Sequence, residues 1–238
     1  MFYRLGQRRL FYSLTKQPRS GRLLILVHGL GTDHNYHLLK FLAARFRLRA
    51  SVLTFDLAGY GSSSGGLQVR RVRTFVKDLD QLVNWAAKQL PEKEIILIGH
   101  SLGALISLLE AARNPLVSGV VAIGSNAEGY RLYRDYLKRG LIKVYKHYSS
   151  LRRHRLAKDF WTDRLHFQPL QLVPRIKCPV LYIYGSQDRT NPVGEGRKLY
   201  LRTRSSKRLA IIKGADHHFR RPRYRQQVYQ VIKKWLKL

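Results

Sequence analysis

Apolar residues follow two alternating patterns along this chain. Short continuous runs end in glycine or a turn: LLILVHG (Leu23–Gly29), SVLTFDL (Ser51–Leu57), EIILIG (Glu94–Gly99), GVVAIGS (Gly119–Ser125), VLYIYG (Val180–Gly185) and RLAIIKG (Arg208–Gly214). Each has the length and composition of a strand buried on both faces. Between them, apolar positions recur at helical spacing. This happens over 35–46, in TFVKDLDQLVNWAAKQL (Thr74–Leu90), from Leu102 to Arg113, near Gly196–Arg202, and in YRQQVYQVIKKWL close to the C-terminal end. Pro91 and the pair Asn114-Pro115 stop the second and third of these helices. At the N-terminal end, FYRL and RRLFYSLT flank Gly6 and read as a hairpin of β-prone residues.

Strand–helix alternation on this scale predicts an α/β fold, a mostly parallel sheet wrapped by helices on both faces. The rhythm breaks between 128 and 177, where aromatic and basic material such as YRLYRDYLKRGLIKVYKHY and AKDFWTDRL shows no clear strand. The expected organisation is therefore one core domain built from 1–127 and 178–238, with 128–177 as a helical lid inserted over the strand ends. A chain of 238 residues without internal repeats fits one such domain.

Composition narrows the class. With 45% hydrophobic residues and 11% aromatics the chain is not disordered. Its longest apolar runs are strand-sized, well short of the ~18 residues needed to span a bilayer. The opening MFYRLGQRRLFYSL lacks the apolar stretch of a signal peptide, and the single cysteine, Cys178, precludes an internal disulfide framework. A cytoplasmic location is expected.

Charge adds a separate expectation. Lys and Arg number 45 against 14 Asp and Glu, a formal net charge of +31. Such a surface attracts anionic membranes and nucleic acid. The basic residues are spread along the chain, however, and no zinc-finger spacing, RNP motif or GxxG loop accompanies them. That distribution favours a background property and non-specific contact over a dedicated binding device.

The candidate chemistry begins at GHSLG, residues Gly99–Gly103. A G-x-S-x-G sequence after a strand and before a helix forms a sharp turn, which displays Ser101 at the helix N-terminus and needs small residues on either side. A nucleophilic serine requires a base, an acid to orient it, and donors for an oxyanion. Asp188 in YGSQD and His217 in GADHHF each follow a predicted strand, although a turn aspartate and an exposed loop histidine are the ordinary readings of either alone, and His218 competes with His217. The chain order Ser, Asp, His ties the three together. HGLG (His28–Gly31) can turn the Leu30 N–H inward beside that of Leu102. His28 precedes the turn and suits a structural hydrogen-bonding role better than that of base. Asp56, in FDLAGYGSS, is expected to tie its own glycine-rich loop. That loop lacks the ending of a P-loop, and His34-x-x-His37 lacks a third ligand, so no phosphate cradle, metal or cofactor is expected.

The set HGLG, FDLAGYGSS, GHSLG, GSQD and GADHHF resembles the α/β-hydrolase superfamily. It is similar in particular to the branch of small esterases, monoacylglycerol lipases, lysophospholipases and serine aminopeptidases. The resemblance runs from about Leu23 to the C-terminal end. It implies a catalytic triad of Ser101, Asp188 and His217, selecting His217 over His218, with Leu30 and Leu102 as oxyanion-hole residues. The implied activity is cleavage of a small acyl ester through an acyl-enzyme, with thioesters or amides as related substrates and no obligate protein partner. A carboxylate nucleophile, as in a haloalkane dehalogenase, is disfavoured by the serine at 101. The alternative is a hydrolase-fold binding protein that docks on an anionic surface with little turnover, and only the charge supports it.

Overall fold

The computed structural model describes residues 1–18, 20–90, 92, 94–151 and 154–238. In chain order its principal elements are β1 (Phe2–Leu5), β2 (Arg8–Thr15), β3 (Arg22–Val27), α1 (His37–Phe46), β4 (Ser51–Phe55), α2 (Val72–Gln89), β5 (Glu94–His100), α3 (Leu102–Ala111) and β6 (Val117–Ile123). There follow α4 (Gly129–Lys138), β7 (Ile142–Val144), β8 (Tyr148–Leu151), β9 (His154–Ala157), α5 (Phe160–Leu165), α6 (Pro169–Leu172), β10 (Val180–Gly185), α7 (Val193–Arg202), β11 (Lys207–Ile212) and α8 (Pro222–Leu236).

Eight strands form one sheet in the order β1-β2-β4-β3-β5-β6-β10-β11. The β1–β2 hairpin and its junction with β4 are antiparallel, and every later pairing is parallel. Both faces are covered, which is why the strands read as continuous apolar runs. Along β3, Leu23, Ile25 and Val27 pack into the core shared with α2 and α3, whereas Leu24 and Leu26 pack into the core shared with α1 and α8. That split follows from the two-residue period of a strand. Among the described residues no helix is long and apolar enough to cross a membrane.

The predicted core elements appear with boundaries shifted by a few residues. The first predicted helix begins at His37 instead of 35, and the second begins at Val72 and ends at Gln89. The stop assigned to Pro91 lies outside the described residues.

The expectation of a helical lid without a clear strand needs correction in its second part. Between β6 and β10 the chain forms helices and a three-stranded antiparallel sheet, β7-β8-β9. The helix-like run breaks at Gly140, whose φ of 60° favours a residue without Cβ. The Gly140 N–H donates to the Leu137 carbonyl and that of Leu141 to the Tyr136 carbonyl, the paired bonds that close a helix C-terminus. Only after that stop do Ile142–Val144 pair with Ser149–Leu151. Arg152 and Arg153 of the basic run LRRHR lie outside the described residues.

Candidate active site

The turn between β5 and α3 is as sharp as GHSLG requires. Ser101 has φ 56° and ψ −116°, a left-handed backbone conformation rare for a residue with a side chain. Its N–H is anchored to the Ile123 carbonyl at 2.8 Å. The flanking glycines are sterically required. A Cβ at Gly99 would sit 2.3 Å from the Gly103 carbonyl oxygen, and one at Gly103 would sit 2.1 Å from that of Val27.

Asp188 and His217 stand in the loops after β10 and β11, two adjacent parallel strands. Their side chains therefore meet at one end of the sheet. His217 Nε2 lies 3.0 Å from Ser101 Oγ, and His217 Nδ1 lies 2.7 Å from Asp188 Oδ2. With the proton on Nδ1 the ring donates to the carboxylate and accepts from the hydroxyl. Asp188 Oδ1 also accepts the N–H groups of Thr190 and Asn191 at 2.8 and 2.7 Å. Asp188 is thus both the turn aspartate of the ordinary reading and the partner of the imidazole. Its side chain is fully buried.

His218 points elsewhere. The Tyr36 hydroxyl donates to its Nδ1 at 3.0 Å, and His37 Nε2–H donates to its carbonyl at 2.7 Å. Burial, reinforced by the neighbouring His217, pushes its pKa down to about 4. A histidine that the sequence did not single out supports the loop from beneath. His100 Nε2–H donates to the His217 carbonyl at 2.8 Å, and Tyr36 stacks on its ring. Burial holds its pKa far below the usual imidazole value. The local signal for His100 is weak, because its partner lies 117 positions away.

Upstream, His28 is fully buried, donates from Nδ1 to the Gly29 carbonyl and accepts the Leu57 N–H at Nε2, both at 2.9 Å. This is the structural role expected of it. Asp56 accepts the Ser62 N–H within its own loop and, at its other oxygen, both the N–H and Nδ1–H of His34. Asp33, His34 and Asp56 bring potential ligand atoms within 4.8 Å of one another. The bonds to Asp56 describe a tie between two loops.

Ser101 and His217 open onto a cavity of about 180 Å³. Leu30 and Leu102 line it beside Ser101, and Tyr136, Phe160 and Trp161 line it from the segment between β6 and β10. Leu102 is the first residue of α3, where backbone N–H groups lack intrahelical partners. A serine hydroxyl bonded to a carboxylate-oriented imidazole, at a helix N-terminus, can deliver an oxygen nucleophile to a carbonyl carbon.

A model of the alpha/beta hydrolase family matches residues 24–230. The chain belongs to that family. Among its relatives is the monoglyceride lipase of Rattus norvegicus, 29% identical, with 95% of this chain and 86% of that protein covered. The fold is shared with Est1E from Butyrivibrio proteoclasticus, solved with ferulic acid bound, at a TM-score of 0.86, 18% identity and 99% and 97% coverage of the two chains. It is shared also with a monoacylglycerol lipase from Paleococcus ferrophilus, at a TM-score of 0.76, 23% identity and 95% and 98% coverage. For an alpha/beta hydrolase the strand-end loops are the usual place for a reactive site, and Ser101, Asp188 and His217 all lie there.

Proposed function

We propose that this protein is a serine hydrolase that cleaves carboxylic esters through an acyl-enzyme on Ser101. The observation that carries the reading is the continuous hydrogen-bonded chain Ser101 Oγ–His217–Asp188, facing a cavity lined by both apolar and polar side chains. The names of its relatives, the monoglyceride lipases, point to the same substrate class.

In this mechanism Ser101 Oγ attacks the ester carbonyl as its proton passes to His217 Nε2. Asp188 holds the ring with Nδ1–H towards it and stabilises the imidazolium. Leu30 and Leu102 N–H groups receive the oxyanion, aided by the N-terminal end of α3. His217 then protonates the leaving alcohol, and the acyl group remains on Ser101. Water, deprotonated by His217, attacks the acyl carbonyl; the serine leaves with the proton and the free acid departs. Residues 128–177 act as a lid, whose Tyr136, Phe160 and Trp161 exclude water and wall the acyl pocket. Thioesters and amides fall within the same chemistry. The +31 charge serves only non-specific contact with anionic membrane or nucleic acid.

Turnover of a series of para-nitrophenyl esters of increasing acyl length tests the reading, with Ser101→Ala as the control. Wild-type protein should hydrolyse the series with a preference among lengths. Ser101→Ala should lose roughly 10⁴-fold or more, because nucleophile and base act as a unit. Equal turnover by both proteins would refute the mechanism.

A further inference from the structure

The reaction chemistry leaves one charged group in the cavity wall unused. Arg164, on α5, is 3% exposed and lines the same cavity as Ser101 and His217. Its guanidinium donates to the Phe167 carbonyl at 2.6 Å and to Asn126 Oδ1 at 3.0 Å. Both acceptors are neutral. No carboxylate among the described residues pairs with it, and Asp163, its neighbour in sequence, is bonded to the backbone N–H and side chain of Arg73. Burial alone pushes the pKa of Arg164 down to about 10, which still leaves it charged at neutral pH.

An unpaired buried cation is costly, and its hydrogen-bond partner Asn126 carries a further unmet donor. The bond from Arg164 fixes the Asn126 amide with its oxygen towards the guanidinium. Asn126 Nδ2 is then buried without a partner among the described residues, and so is Trp161 Nε1. Both residues line the cavity. The backbone makes room for the charge as well, since a Cβ at Gly129 would lie 2.6 Å from Arg164 Nη1. A guanidinium has five N–H donors and cannot accept, and an indole N–H likewise only donates. A buried guanidinium beside the cavity, with no carboxylate among the described residues to receive it, defines the chemistry of the missing partner.

We propose that this wall is an oxyanion subsite and that the substrates are esters carrying a carboxylate or phosphate in the part lodged in the cavity. The assignment rests on the ester-hydrolase reading and narrows it from esters in general to anionic esters. A planar carboxylate matches the guanidinium fork, and a phosphate offers the same acceptor oxygens. Arg164 is the specificity determinant and Asn126 orients its fork.

Binding measured by calorimetry in Ser101→Ala protein, where turnover is removed, tests the subsite separately from catalysis. One pair of ligands is para-nitrophenyl hydrogen glutarate and para-nitrophenyl pentanoate. A second is monobutanoylglycerol phosphate and monobutanoylglycerol. At least one anionic member should bind about tenfold or more tightly than its neutral counterpart, and the pair showing the larger ratio tells carboxylate from phosphate. In the same background Arg164→Gln should bring that ratio close to one. Asn126→Asp supplies an internal carboxylate 3.0 Å from the guanidinium. It should also abolish the preference while raising the thermal midpoint, and it carries the test if Arg164→Gln does not fold. Equal binding of anionic and neutral members in both pairs, or a preference that survives Asn126→Asp, would overturn the subsite. Wild-type protein that turns over none of the four esters would overturn the ester-hydrolase reading instead, and the binding ratios would still report on the subsite.

Discussion

At the scale of single residues, the two adjacent histidines give the clearest contrast. His217 faces Ser101 and Asp188, whereas His218 is taken by Tyr36 and His37. His217→Ala should therefore reduce ester turnover nearly as much as Ser101→Ala. His218→Ala should cost less than about tenfold in kcat, with any larger effect confined to KM. Asp188→Asn falls between. Its Oδ1 is already committed to two backbone N–H groups, so the new amide NH₂ must face His217 Nδ1. That arrangement imposes the wrong tautomer on an imidazole still beside the serine. Steady-state turnover of the three variants checks all of this. Ser101, Asp188 and His217 were legible in the sequence because each follows a strand-forming run. The choice between the histidines was not legible from the residues themselves. It depends on Tyr36 and His37, which stand more than 180 positions earlier in the chain. Arg164 and Asn126 escaped for the same reason: a buried pair spaced 38 positions apart leaves no local pattern.

At the scale of elements, the short β5–α3 turn carries the strain and its neighbours fix its shape. Gly103→Ala drives a Cβ against the backbone of β3, which no rotamer change can relieve. It should lower unfolding stability by about 2 kcal/mol or more and reduce activity with it, as read by urea denaturation. Further along α3, Glu110 is 1% exposed, and burial pushes its pKa up to about 7. The folded protein therefore holds a proton on Glu110 more tightly than the unfolded chain does. The associated stability is complete below about pH 4.5 and is lost as pH rises through about 7. Glu110→Gln keeps an acceptor for the Asn114 amide and removes the titration. Relative to wild type it should gain on the order of 2–3 kcal/mol between pH 4.5 and pH 8, measured by urea midpoints across that range. The α/β elements were readable because long apolar runs and helical spacing are strong local signals. The strands β7–β9 were not, being three or four residues long inside an aromatic, basic stretch. Gly140 in LKRG was the one local mark that the helix ended there.

At the scale of the whole molecule, the charge and the site separate cleanly in their expected responses. Forty-five basic residues distributed over the chain give long-range attraction to any polyanion. Binding to anionic vesicles should weaken by about tenfold or more between 0.05 and 0.5 M salt, as the Debye length that screens exposed charges falls from roughly 14 Å to roughly 4 Å. Vesicle co-sedimentation across a salt series measures it, and salt-independent binding would point to a built docking surface. Recognition at Arg164, buried within the cavity wall, should change far less over the same range.

The central claim is that Ser101 is an activated nucleophile whose base is His217. Intact-mass measurement after exposure to a fluorophosphonate tests it most directly, because the probe bonds to an activated serine whatever the natural substrate. Wild-type and His218→Ala proteins should each gain one adduct, mapped to Ser101, while Ser101→Ala and His217→Ala remain unlabelled on the same timescale. A labelled His217→Ala beside an unlabelled His218→Ala, or no adduct on the wild-type protein, would contradict the account.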